Sequence, residues 1–284
     1  MKTLREYILE ADKKGVAIGH FNISNLEGLH AIYSAAKKLN VPIVIGVSEG
    51  EESFVGTEEA VALVSVLRAR DNYPIFLNAD HHHRFESVKK CIDAGFDMVI
   101  IDGTELSFDE NVKVTKQCVE YAQKTGTGAL VEGELGFIGS GSIVRDSIPE
   151  GAGILTKPEE AKKFVEMTGI DLFAPSVGSI HGLIKSGKPH INAELVGEIR
   201  KITGVPLVLH GGSGLRDVDF TNAIKAGVSM VHINTEIRIA YVESLKKSLA
   251  DNPSETTPYK VTTPAQKAVE SIVEARLKLF NNLG

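Results

Sequence analysis

Three histidines each close a short apolar stretch of the chain. His81 stands in Asn78-Ala79-Asp80-His81, His181 in Gly178-Ser179-Ile180-His181-Gly182, and His210 in Leu207-Val208-Leu209-His210-Gly211-Gly212. Taken singly, each reads equally well as a hydrogen-bonded structural histidine. Together they could supply three imidazoles to one ion, and three protein ligands with an open position is the arrangement of a catalytic zinc. Structural zinc takes four closed ligands, usually with thiolates, and neither Cys91 nor Cys118 lies at the end of an apolar run. Other polar residues sit at equivalent places: Asn22, Ser48, Asp80, Asp102, Glu132, Glu134, His232 and Asn234. One such residue is usually a satisfied core group, but a whole series at strand ends points to a site. His82 and His83 begin the loop after His81 and are expected to point away from it, solvated or supporting. His20 is expected to pack or hydrogen-bond locally, and His30 and His190 carry no assignment.

These residues need elements that bring them together. Eight apolar runs, rich in Val and Ile and too short for helices, read as buried parallel strands: 16–22, 42–48, 75–80, 98–102, 129–134, 171–177, 205–210 and 229–233. Helical patterns separate them, at 26–40, 57–70, 85–95, 109–124, 158–169, 193–203, 217–227 and 236–249. Glycines close several helices at the C-cap position, and Thr156-Lys157-Pro158-Glu159 has the pattern of a capping box. Eight unbroken β/α units predict an α/β fold, a single (β/α)8 TIM barrel over residues 1–284, rather than an open doubly wound sheet. No G-x-G-x-x-G follows the first strand, which also counts against a dinucleotide fold. In such a barrel the C-terminal strand ends share one face, so the polar residues above converge there. Residues 3–14 predict an extra N-terminal helix that plugs the barrel floor. A C-terminal helix is predicted from Thr263-Pro264, its stripe of Ala265, Ala268, Val269, Ile272, Val273 and Leu279 packing on the barrel or forming a subunit interface.

Two loops add chemistry. His210-Gly211-Gly212-Ser213-Gly214-Leu215 joins a strand to a helix, where glycines let backbone N–H groups close on an anion. Asn234-Thr235 occupies the next such junction, and phosphate sites in barrels use the loops after the seventh and eighth strands. The connection 135–155 is long enough to be a functional lid, and its later glycines, Gly139, Gly141, Gly151 and Gly153, suit a hinged flap.

Composition narrows the classes. The 43% apolar content supplies a large core, and the net charge of -6 is spread without single-sign blocks, giving no nucleic-acid footprint. Two cysteines fit a reducing compartment and read as buried apolar residues. No apolar run reaches the roughly 18 residues of a membrane span. The first residues are charged and amphipathic, unlike a signal peptide, so a cytoplasmic protein is expected.

The motifs Phe21-Asn22-Ile23, Val47-Ser48-Glu49-Gly50, Asp80-His81, Ile101-Asp102-Gly103, Val131-Glu132-Gly133-Glu134-Leu135-Gly136, His181-Gly182 and Leu209-His210-Gly211-Gly212-Ser213-Gly214 follow one another in order. Over essentially the whole chain they resemble the class II fructose-bisphosphate and tagatose-bisphosphate aldolases, and more closely their shorter, class IIB-like branch. The resemblance implies that Asp80 is the catalytic acid/base and that His81, His181 and His210 hold zinc. It places Asp102 and Glu132 at a second or alternate metal position. Gly182, Gly211, Gly212, Ser213, His232, Asn234 and Thr235 would bind the dihydroxyacetone phosphate half, Ser48 the aldehyde half, with Asn22 also at the substrate. It further implies a monovalent cation near the phosphate and a homodimer or homotetramer.

The chain departs from that pattern twice. Gly139-Ser140-Gly141-Ser142 stands where relatives carry acidic lid residues, so the mobile glutamate that exchanges a proton with the enediolate has no match; Glu134, Asp146 and Glu150 are candidates to replace it. His232 stands where the family's Asn-x-x-Thr begins. No strand end offers a Schiff-base lysine, so the expected chemistry is metal-dependent cleavage of a ketose 1,6-bisphosphate to dihydroxyacetone phosphate and glyceraldehyde 3-phosphate. Arg238 suits a distal phosphate and leans the expectation to fructose 1,6-bisphosphate. Tagatose bisphosphate, another phosphorylated ketose, or a non-catalytic sugar-phosphate- or metal-binding barrel are the alternatives.

Overall fold

The computed structural model describes residues 1–139, 141, 143–147, 154–184 and 189–283. The apolar runs become strands β1 (Ile18–Asn22), β2 (Ile43–Ser48), β3 (Ile75–His82), β4 (Met98–Ile101) and β5 (Leu130–Leu135). They are followed by β6 (Val144–Arg145), β7 (Leu172–Pro175), β8 (Leu183–Ile184), β9 (Leu207–Leu209) and β10 (Val228–Ile233). Eight of these close a parallel barrel in the order β1-β10-β9-β7-β5-β4-β3-β2. Their branched side chains are buried on both faces, as a sheet with a filled interior and a helical jacket requires. The two short strands β6 and β8 pair with each other outside the barrel, Val144 with Leu183 and Arg145 with Ile184.

The jacket begins with α1 (Leu4–Lys14), α2 (Leu26–Leu39), α3 (Glu49–Val55), α4 (Thr57–Asp71), α5 (Phe85–Ala94) and α6 (Phe108–Thr125). It continues with α7 (Pro158–Thr168), α8 (Ala193–Thr203), α9 (Asp217–Ala226), α10 (Thr235–Asp251) and α11 (Pro258–Phe280). Helix α1 is capped by Thr3 and Glu6 acting reciprocally, and buries Leu4, Ile8 and Ala11 against barrel-floor residues such as Ile18, Phe76 and Met230. It is the expected plug. The predicted capping box at Thr156 does not form. Lys157 caps α7 without a side-chain bond, because the Thr156 hydroxyl instead donates to the Leu135 carbonyl and accepts from the Ser176 N–H. The last helix begins at Pro258, five residues before the expected start, and carries Pro264 within it. Pro264 lies in the second turn of α11, where it has no N–H to give the Lys260 carbonyl, and Ala265, Val269, Val273, Leu277 and Phe280 are the stripe buried in the core. No helix among the described residues is long and apolar enough to cross a membrane.

Candidate active site

The C-terminal strand ends do converge. Asn22, Ser48, Asp80, His81, Asp102, His181, Gly182, Gly211, Gly212, Ser213, His232, Asn234, Thr235 and Arg238 all border one cavity of about 450 Å³ at the barrel mouth. Glu132 lies beneath its floor, fully buried on β5. His81 takes a left-handed backbone, φ 50°, where the β3–β4 register shifts between Ala79 and His82. That bulge lets Asp80 and His81 both serve the mouth although they are neighbours in a strand.

Each of the three predicted ligands has one ring nitrogen occupied and one aimed at the others. His81 Nδ1 lies 2.9 Å from Asp102 Oδ2, His181 Nδ1 is 2.9 Å from the Gly139 carbonyl, and His210 Nε2 is 2.6 Å from Glu132 Oε1. Carboxylate and carbonyl partners of this kind fix tautomer and ring orientation at metal sites. The opposite nitrogens therefore face inward, and one donor atom from each ring lies within 4.8 Å of the other two. His81 Nε2 and His210 Nδ1 come to 2.9 Å. Three imidazoles so oriented, with cavity on their open side, fit a zinc ion.

The electrostatics agree. Burial and the charge on His81 hold His181 and His210 down to about 3, so both stay neutral and free to ligate. Burial also disfavours the His81 cation, but Asp80, Asp102 and Glu134 overcome it and raise His81 to about 10. A proton there does in part what a divalent ion would do, since metal binding displaces the ligand's proton. Burial resists ionisation of Asp80, yet His81, His232 and His20 together hold it well below the usual carboxylate range. Glu132 and Glu134 are pushed well above it by burial and by neighbouring carboxylates. Asp80 Oδ2 accepts from Asn22 Nδ2 at 2.8 Å, and its Oδ1 is 3.3 Å from His232 Nδ1.

The family model for class-II fructose-bisphosphate aldolase matches residues 2–284. The chain belongs to that family. It is 38% identical to the fructose-bisphosphate aldolase of Geobacillus stearothermophilus over 99% of this chain and 97% of that one. The Staphylococcus aureus fructose-bisphosphate aldolase is also 38% identical, over 98% and 96%. Among solved structures, the YdjI aldolase of Escherichia coli K12 superposes with a TM-score of 0.84 at 29% identity, covering 99% of this chain and 97% of that one. As a class II aldolase the chain is a zinc-dependent lyase.

Beside the imidazoles, the aldolase mouth carries backbone donors for an anion. Gly211 has φ 62°, and a Cβ there would stand 2.7 Å from the Ile180 backbone, so only glycine fits this close approach. The N-terminus of α10 opens into the same cavity through Asn234 and Thr235. The base of the long loop folds back onto His181. Ile138 O accepts from the His181 N–H at 2.9 Å, and the Ile143 carbonyl accepts from the Leu183 N–H at 3.0 Å. Ser140, Ser142, Glu150, Gly151 and Gly153 of the expected lid lie outside the described residues.

Glu51 was not foreseen from the sequence. Its Oε2 accepts from Asn22 Nδ2 at 2.8 Å and from both the N–H and hydroxyl of Ser48 at 2.9 Å, and its Oε1 is 3.5 Å from Asn234 Nδ2. One carboxylate thus organises three mouth residues. The signal was present: Ser48-x-x-Glu51 is a capping box, and it starts α3. His20 was expected to pack locally, and does so in a larger arrangement. Its ring stacks on His232 at 3.5 Å, and His232 stacks on His210 at 4.3 Å, a row of rings across the neighbouring strands β1, β10 and β9 that ends at one of the three gathered imidazoles.

Proposed function

We propose that this chain reversibly cleaves a ketose 1,6-bisphosphate, with fructose 1,6-bisphosphate the leading substrate, to dihydroxyacetone phosphate and glyceraldehyde 3-phosphate. The observation that carries the reading is the gathering of His81, His181 and His210, one donor atom of each within 4.8 Å of the others, beside the ionised Asp80 at a cavity bordered by Gly211 and Gly212. Those three rings would hold zinc, which would supply Lewis-acid polarisation of the ketose carbonyl. Asp80 accepts the C4 hydroxyl proton as the C3–C4 bond breaks and returns it in the condensation direction. Asn22, held by Glu51, keeps the Asp80 carboxylate turned toward the cavity. Backbone N–H groups at Gly182, Gly211, Gly212 and Ser213, with the α10 N-terminus at Asn234 and Thr235, receive the phosphate of the dihydroxyacetone half. Ser48 and Arg238 face the aldehyde half and its phosphate. Asp102 and Glu132 orient the histidines and would offer oxygens at a second or alternate metal position, and the reading extends to a monovalent cation near the phosphate. Residues 1–284 act as one barrel domain, in a cytoplasmic homodimer or homotetramer.

A different phosphorylated ketose is a second reading, favoured by His232 standing against Asp80 where the family carries asparagine. The two readings separate in a coupled cleavage assay on fructose and tagatose 1,6-bisphosphates and a panel of ketose monophosphates. The leading reading expects fructose 1,6-bisphosphate to give the highest kcat/KM, chelator to abolish turnover, and zinc to restore it. Turnover that survives complete metal removal would overturn both readings.

A further inference from the structure

Behind the mouth, on the other side of β3, lies a second group of metal-binding side chains. The bulge at His81 ends the strand alternation, and His82 turns away from the cavity toward α3 and α5. His82 is fully buried, yet neither ring nitrogen has a hydrogen-bond partner. An imidazole is not normally left so, because a buried polar group without a partner is destabilising. Cys91 on α5 is also fully buried and Glu52 on α3 is 7% exposed. One donor atom from each of Glu52, His82 and Cys91 lies within 4.8 Å of the other two.

The spacing suits an ion better than a hydrogen bond. His82 Nε2 is 3.7 Å from Glu52 Oε2. That exceeds a hydrogen bond but is close to the edge of a tetrahedron about zinc, roughly 3.4 Å for bonds of about 2.0–2.1 Å. Glu52 is already oriented for it. Its Oε1 is taken by the Thr57 hydroxyl and by Lys90 Nζ at 2.9 Å, which leaves Oε2 to the cluster. On the far side of the ring, His82 Nδ1 lies 4.0 Å from Glu49 Oε1, beyond hydrogen-bond distance, and that oxygen already accepts from the Ser87 hydroxyl at 3.0 Å.

We propose that Glu52, His82 and Cys91 form a second metal site that takes zinc through one carboxylate oxygen, one imidazole nitrogen and one thiolate, with its fourth position left to a non-protein ligand. A donor set with sulfur and imidazole selects zinc over magnesium or calcium. Binding releases the Cys91 proton to solvent. Burial and the adjacent Glu52 push that thiol up, so without an ion it stays protonated. The site shares no residue with the mouth. It ties α3 and α5 to the segment of β3 that holds His81 in its left-handed conformation.

Cobalt substitution tests this directly, because only a cysteine ligand produces a thiolate-to-cobalt charge-transfer band in the near ultraviolet, and the mouth contains no sulfur. The full-length chain would be stripped, reloaded with Co2+, and its bound cobalt and spectrum measured. The site requires cobalt beyond the mouth's share and a near-ultraviolet band. In Cys91→Ala the band should vanish and one equivalent of cobalt be lost, while the visible bands of the histidine-bound ion and the cleavage activity persist. Cys118→Ala, which alters the other cysteine, should keep the band. A wild-type spectrum with no near-ultraviolet band overturns the proposal whatever the stoichiometry, since extra cobalt would then lie at the mouth. A band that survives Cys91→Ala does the same. Should Cys91→Ala fail to fold, the wild-type spectrum and Cys118→Ala still decide.

Discussion

Replacing Asp80 with asparagine separates its chemistry from its place in the fold. Asp80 is 5% exposed, with Oδ2 bonded to Asn22 Nδ2 at 2.8 Å and Oδ1 3.3 Å from His232 Nδ1. Asparagine can keep its carbonyl oxygen toward Asn22 and turn its amide toward His232, whose ring can accept as readily as donate. Both contacts keep a counterpart, so Asp80→Asn should stay folded, with a stability change of about 1 kcal/mol or less. Alanine would be a poorer test, since it strands both partners. What asparagine removes is the proposed proton acceptor, and such a group contributes about 100- to 10,000-fold to its step, or roughly 3–5 kcal/mol of barrier. The expected result is a kcat lowered by that factor, KM changed by less than about threefold, and zinc content equal to the parent. Stopped and coupled cleavage assays would be read beside metal analysis and a thermal melt. A variant that keeps its zinc and turns over within tenfold of the parent would refute Asp80 as the base.

Three other outcomes follow from the geometry. Glu51→Ala frees Asn22 and Ser48 and removes the carboxylate half of the α3 capping box, so kcat/KM should fall about tenfold and stability by about 1 kcal/mol with zinc retained; an unchanged kcat/KM would show that Glu51 completes the capping box and nothing more. Gly182→Ala places a Cβ 2.1 Å from the Ile143 carbonyl at φ 92°, which should dislodge the loop carrying Gly139 from His181 and weaken zinc about 10- to 100-fold in chelator competition. Equal zinc affinity in that variant would mean the loop does not orient His181. Asp71 is held at about 2 by Lys37 and Tyr33, below its ordinary 3.8. A depressed carboxylate contributes stability above its unfolded value and loses it as pH falls through the folded one. Asp71→Asn should therefore melt lower than the parent at pH 7, with the gap narrowing from about pH 4 downward; a gap independent of pH would contradict the pairing.

The barrel and most of its mouth were readable because their signals are local. Runs such as residues 43–47 and Leu207–Leu209 carry no polar side chain and are too short for helices, as strands buried on both faces are, and each is followed by a polar residue, Ser48 or His210, that the run does not predict. Convergence of those residues then follows from closure alone. The misses come from places where tertiary contacts override a local pattern. Thr156 has the neighbours of a helix cap, but its hydroxyl is claimed by the Leu135 carbonyl. Ser48 reads as a strand end, so the helix it starts, and Glu51 within it, went unnoticed. His82 reads as a loop residue, and only the bulge at His81 explains its burial. Strands β6 and β8 have two residues each, too few for any periodicity.

The pairing that closes the barrel joins β1 to β10, with His20 directly across from His232. During synthesis β1 leaves the ribosome long before β10 exists. Until Val228–Ile233 emerges, β1 offers an open row of N–H and C=O groups to any passing strand, and the stack from His20 to His210 is missing its middle ring. Contacts of such sequence separation form late and slowly. A partly made chain is therefore both sticky and inert. The same six residues that remove the exposed edge also bring His232 to Asp80, so a cell that protects the nascent barrel until it shuts gains a covered sheet edge and an assembled mouth in one event.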